Sequence, residues 1–89
     1  MAYYVVNRKV SNFSVWKKIY DEFEETRRNY GVKEHFALQS VEDFNHVMVV
    51  GEGELEAINN FLNSEELKKG MNNAGLSGPP NIFVGENKK

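Results

Sequence analysis

Apolar and polar positions change period several times along the chain, and each change marks an element. Ala2–Val10 (AYYVVNRKV) is short and rich in β-branched and aromatic residues, as a strand would be. From Ser11 to Gly31 the period becomes helical. Val15, Ile19, Phe23 and Tyr30 recur on one face, with Trp16 and Tyr20 beside them. Asn12 suits the N-cap, where its side-chain oxygen can accept a free first-turn amide, and Gly31 suits the left-handed position that closes a helix. Val32–Ser40 returns to a strand period, with Phe36 and Leu38 to one side and His35, Ala37 and Gln39 to the other. A polar-tipped turn, VEDFN, leads into a third strand, His46–Gly53, so these two strands form a hairpin. Leu55, Ile58, Phe61 and Leu62 then share one helical face. Ser64 caps another turn or two, with Glu65 and Glu66 in its first turn, and Gly75 is expected to end it. Gly78-Pro79-Pro80 forbids further helix and sets the chain extended for a last strand, NIFVGE. Residues 86–89 are expected to form a frayed tail.

The order is β-α-β-β-α-β, the ferredoxin-like pattern of an α+β fold. Right-handed crossovers then give one four-stranded antiparallel sheet with both helical regions on one face. The fold pattern implies strand order 4-1-3-2. One layer of helices cannot cover both sheet faces. Tyr3, Val5, Val47 and Val49 are expected on the other face and are too apolar to leave wet. Pairing two such faces would bury them and protect the open sheet edges, so a homodimer through the sheet, a dimeric α/β barrel, is expected.

Composition narrows the function classes. At 89 residues the chain is one domain, 1–89. A net charge of −2 argues against nucleic acid, which needs a basic face to displace phosphate counterions. With no cysteine, disulfides, thiolate catalysis and cysteine-ligated metals are excluded. No apolar run approaches the length of about 20 residues that spans a bilayer. The start of the chain lacks the pattern of a signal peptide. A cytoplasmic protein is expected, without a membrane partner.

Chemistry-bearing residues are few. Asn7 stands mid-strand, where Asn is disfavoured. It is either an amide aimed at a substrate carbonyl or oxygen intermediate, or an ordinary polar residue on an exposed or interface face. Trp16, Tyr20 and Phe61 can line a slot for a flat aromatic molecule, or simply pack the core. The phenols of Tyr3, Tyr4 and Tyr30 can donate to a ligand, to water or to a backbone carbonyl. His35 and His46 are the only histidines. They lie on opposite arms of one hairpin, roughly 17 Å apart along the strands, so they cannot share a metal within one subunit. His35 can act alone as a base, or merely face solvent. Glu22, Glu24 and Glu25 read as a solvated helix face, and the glycines of GEG are too sparse for a phosphate loop.

Two stretches carry a family resemblance. VSNFSVWKKIYDEF and NSEELKKGMNNAGLSGPPNIF resemble the first helix and the last helix-to-strand passage of the antibiotic-biosynthesis-monooxygenase-like superfamily, the small dimeric α/β-barrel proteins. The resemblance covers nearly the whole chain. It implies the fold and the dimer more specifically than it implies an activity. The family includes cofactor-free quinone-forming monooxygenases, haem-degrading enzymes and many proteins without a known reaction. Its haem-degrading branch has an Asn-Arg pair on the first strand, and Asn7-Arg8 matches it. Phe61 stands where that branch has a Trp, and Met71 where it has the iron-ligating His. The resemblance therefore argues against haem, and no cofactor is expected. It leaves a ligand-lining set of Asn7, Trp16, Tyr20, His35, Phe61 and Met71, with Asn7 and His35 the candidates for catalysis. Three functions follow: binding of a small hydrophobic or aromatic molecule, cofactor-independent monooxygenation of an activated phenol or quinol, or an interaction module without a ligand.

Overall fold

The computed structural model describes residues 1–74, 76 and 80–89. Its elements are β1 (Ala2–Lys9), α1 (Phe13–Glu22), α2 (Glu24–Tyr30), β2 (Lys33–Gln39), β3 (His46–Gly53), α3 (Leu55–Leu62), α4 (Glu65–Asn73) and β4 (Asn81–Glu86). The strands form one antiparallel sheet in the order β2-β3-β1-β4, as the ferredoxin-like reading expects. β1 lies between β3 and β4, so its inward side chains are covered most completely. Tyr4 is fully buried, together with Ile58 of α3. The expected helix stop at Gly75 and the break at Gly78-Pro79 lie outside the described residues. Glu86 ends β4 opposite Ala2 and so belongs to the sheet.

The caps behave as their residue types dictate. Asn12 Oδ1 accepts from the Val15 amide at 3.2 Å, and Ser64 Oγ accepts from the Leu67 amide at 3.2 Å. Gly31 closes α2 at φ 82°, a left-handed backbone that a Cβ would disfavour. The single helix expected between Ser11 and Gly31 is instead two, broken at Phe23. At the break the Tyr20 carbonyl accepts from the Phe23 amide at 3.2 Å and from Arg27 Nη1 at 2.8 Å. The guanidinium thus satisfies a carbonyl that the helix ladder gives up.

Three expectations about faces need correction. Val47 and Val49 pair with Arg8 and Val6 and turn toward the helices, where they pack with Val10 and Trp16. The outward residues of β3 are instead His46, Met48, Val50 and Glu52. The expected face failed because residues 47–50 are apolar at every position, so alternation gives no contrast to read. His35 was expected opposite Phe36, but β2 shifts register between Glu34 and Phe36. An extra residue in one strand re-aims its side chain, and the His35 ring meets Glu52 on the outward face. Val15 and Leu55, expected on the apolar helix faces, are 44% and 51% exposed, at the margins of those faces.

The outward sheet face carries a band of exposed apolar side chains. Phe36, Leu38 and Phe83 are 59%, 49% and 66% exposed, and Tyr3 stands beside them. In the register, Val5 is flanked by Val50 on one side and Phe83 on the other, and Phe36 follows next to Val50. These positions form a continuous stripe across all four strands.

Candidate functional site

Between the sheet and the helices lies a cavity of about 300 Å³ with almost entirely apolar walls. Val6, Val49 and Ile82 form its sheet side, and Trp16, Phe61 and Met71 are among the helix residues that close it. Trp16 stacks on Tyr20 at 5.1 Å with planes 27° apart, and Phe13 tilts against Trp16 at 5.7 Å. Such offset pairs hold aromatic rings at a fixed slope, which keeps this wall flat. Tyr30 and Phe61 make a second tilted pair at 5.7 Å.

One end of the cavity is ionic. Tyr4 Oη donates to Glu34 Oε2 at 2.7 Å, and Arg27 Nε faces Glu34 Oε1 at 3.2 Å. The Arg27 guanidinium also lies 4.2 Å from the centre of the Tyr20 ring. Tyr4 sits on β1 and Glu34 on β2, with β3 between them. The bond is possible because Gly51 of β3 separates the two in register. The Tyr4 ring crosses over Gly51, where an added Cβ would lie 2.5 Å from Cζ. Burial, and then the Glu34 carboxylate, push the Tyr4 phenol far above its ordinary value, against an opposing pull from Arg27. Tyr20 is raised by burial first and by Glu34 next. Both phenols therefore remain protonated donors across the ordinary pH range.

The other end is cationic. Arg8 follows Tyr4 by four residues on the same face of β1, roughly 13 Å along the strand. It is 8% exposed and lines the cavity. Its Nη1 contacts Met71 Sδ at 2.8 Å. Burial pulls the guanidinium below its usual value, the mark of a cation short of water.

The six residues expected to line a site divide between two faces. Trp16, Tyr20, Phe61 and Met71 all line the cavity. Asn7 and His35 do not; they stand on the outward sheet face. There Asn7 Oδ1 pairs with His46 Nε2, and His35 Nε2 with Glu52 Oε1. Tyr3 is on that face too, while the Tyr30 phenol donates to Glu66 at the surface. No cluster of metal-ligating side chains occurs among the described residues, and no helix among them is long and apolar enough to cross a membrane.

Sequence reasoning missed Arg8, Arg27 and Glu34 as wall residues. The signal was present. Arg8 occupies the next inward position after Ala2, Tyr4 and Val6, and Arg27 follows Tyr20 and Phe23 on the buried side of its helices. A charge set in an apolar stripe marks a buried charge, and a buried charge needs a reason.

No family model matches the chain, and no curated protein sequence matches it. Solved structures do. One named as an antibiotic biosynthesis monooxygenase superposes with a TM-score of 0.80 at 10% identity, over 100% of both chains. SnoaB of Streptomyces nogalater, a cofactor-independent oxygenase, gives 0.78 at 12% identity, covering 99% of this chain and 93% of that one. A conserved protein of Methanosarcina mazei gives 0.78 at 15% identity, with 98% and 92% covered. The chain shares its α+β fold with these proteins over essentially its whole length. At these identities the likeness is one of fold.

Proposed function

We propose that the protein binds a small aromatic or hydrophobic molecule in the cavity between sheet and helices, as a homodimer joined through its sheet faces. The cavity carries this reading. A domain of 89 residues has little core to spare, and a void of about 300 Å³ forfeits the packing contacts that would stabilise it. Its volume lies at the lower end of small-molecule sites, and its few polar groups sit at the ends. A solid core would have left only an interaction role. The apolar stripe from Phe36 to Phe83 supports the dimer, since a patch of that kind on a sheet calls for cover. Asn7 and His35 belong to that interface rather than to the cavity in this reading.

Two experiments test it. Light scattering at micromolar concentration is expected to give twice the chain mass, falling to one chain mass in Phe83→Lys; a wild-type monomer would refute the dimer. Equilibrium dialysis against 1-naphthol is expected to show saturable uptake of one molecule per chain. Uptake that stays linear to the solubility limit would remove the ligand.

A second reading, cofactor-independent monooxygenation, has one observation in its favour: a carboxylate, Glu34, on the wall of an aromatic-lined cavity. A bound phenol that gives its proton to Glu34 becomes electron-rich enough to reduce oxygen itself. A ring C–H para to the hydroxyl becomes a carbonyl, the second oxygen atom leaves as water, and all four electrons come from the substrate. The protein's part is to bind, orient and exclude solvent. Oxygen uptake with a panel of phenols and dihydroxyarenes, lost in Glu34→Gln, would support it. Uptake equal to buffer across the panel would count against it.

A further inference from the structure

Among the helices of the described residues, α4 is the one that buries no side chain. Trp16 anchors α1, Arg27 anchors α2, and Ile58 and Phe61 anchor α3. In α4 only Gly70 is buried, and it has no side chain to pack. Leu67 and Met71, one turn apart, line the cavity and are half-buried, because what lies beneath them is cavity rather than core. The segment is also a poor helix by composition. Its nine residues fall short of the roughly 12–15 that a helix needs to hold by itself. Gly70 stands in its interior, and Asn72 and Asn73 end it; both residue types rank low as helix formers. Packing explains the glycine. A Cβ at Gly70 would lie 2.4 Å from Cζ of Phe23, whose ring rests on the α4 backbone. The residue that lets Phe23 approach is therefore the one that weakens α4 where it crosses the cavity.

The two ends of α4 are held better than its second half. Buried Ser64 caps the first turn, its hydroxyl donates to the Phe61 carbonyl at 2.8 Å, and the Tyr30 phenol donates to Glu66. Ala74, just past the last turn, is buried. Unwinding residues 70–73 between these fixed points lengthens the chain from about 1.5 to about 3.3 Å per residue, slack that lets it bow away from the sheet. Lys68 lines the cavity and its side chain is 59% exposed, so the cavity meets the surface beside α4. The sheet side opens only by breaking strand ladders. We infer that α4 is the gate of the cavity: its Gly70–Asn73 half unwinds to pass the ligand and rewinds over it. The inference rests on the cavity being a ligand site. Opening before binding makes association and dissociation both scale with the open fraction, while the affinity is kept.

The test uses the full chain, 1-naphthol and exposed positions that do not line the cavity. Trp16, the single tryptophan, lines the cavity, so stopped-flow fluorescence reads both rates. Asn72→Ala combined with Asn73→Ala strengthens the helix and is expected to slow both rates by about fivefold at unchanged Kd. Asn72→Gly is expected to speed both by about twofold. Asn60→Ala, a like change in the anchored α3, is expected to leave them unchanged. Hydrogen exchange gives a second readout without ligand. The amides of Met71–Ala74 are expected to exchange at least about tenfold faster than those of Ile58–Leu62. Rates that stay constant in the double variant, rates that fall equally in Asn60→Ala, or α4 amides as protected as those of α3 overturn the gate. If 1-naphthol does not bind saturably although the α4 amides exchange fast, the ligand-site reading falls, and the gate with it.

Discussion

Replacing Glu34 by Gln probes the ionic end of the cavity most sharply. The amide keeps the side chain's shape and an acceptor for the Tyr4 phenol. It removes the negative charge that faces Arg27 across 3.2 Å. The side chains of the pair are 10% and 8% exposed, so solvent screens little of the interaction. Breaking a buried pair by removing one partner costs about 3–5 kcal/mol, because the other charge stays buried and uncompensated. The lower end applies here. Arg27 keeps its bond to the Tyr20 carbonyl and its place over the Tyr20 ring. A loss of about 3 kcal/mol is therefore expected. A domain of this length has a total stability of about 4–13 kcal/mol at 0.05–0.15 kcal/mol per residue, so the loss is a large share of it. Urea unfolding followed by Trp16 fluorescence measures it. With a slope near 1 kcal/mol/M, the midpoint is expected to fall by about 3 M. Glu34→Leu combined with Arg27→Met should recover most of the loss, since no buried charge remains. A fall of less than 1 M in Glu34→Gln at unchanged slope would mean that water reaches the pair and that the ionic end is not buried as described.

Three further outcomes follow from the same geometry. Tyr4 and Tyr20 have folded-state values above the unfolded value near 10, so their contribution to stability is complete below pH ~10 and is lost as pH rises beyond it. The unfolding free energy from urea titrations should fall above that pH at up to ~1.4 kcal/mol per pH unit for each phenol, and Tyr4→Phe should make the fall shallower. Gly51→Ala drives a Cβ into the Tyr4 ring, and an overpacking cost of about 1–3 kcal/mol is expected together with loss of the Tyr4–Glu34 bond. An unchanged urea midpoint would show that the ring does not need this gap. Ser64→Ala removes the cap of α4 and the bond to the Phe61 carbonyl, and calorimetry should register a cost of about 1–2 kcal/mol. A melting temperature within 1 °C of wild type would contradict the cap's role.

Much of the architecture was legible in the sequence because its punctuation is local. Asn12, Gly31 and Ser64 each act through their own backbone neighbourhood, and the element order follows from them. The division of residues between the two sheet faces was harder to read. On β3 both faces are apolar between residues 47 and 50, and on β2 a register shift after Glu34 re-aims His35. Neither leaves a trace in residue type. The aromatic side of the cavity could be read from helical spacing, and Trp16, Tyr20 and Phe61 do meet there. The ionic end could not. Tyr4, Arg27 and Glu34 come together from β1, α2 and β2, and Gly51 of the intervening β3, unremarkable in the chain, lets Tyr4 reach Glu34. Asn7 drew attention because Asn is unusual mid-strand, yet its partner is His46 on the outward face.

The central claim is that the space between sheet and helices receives a small aromatic molecule. A single measurement confronts it: titration of 1-naphthol into isotopically labelled protein, read at the Trp16 indole and the methyl groups of Val6, Val49 and Ile82. Saturable, concerted shifts at those cavity groups are predicted, and they should vanish in Val49→Trp, which fills the cavity. Shifts confined to Phe36, Leu38 and Phe83 on the outward face, or none up to the solubility limit, would contradict it.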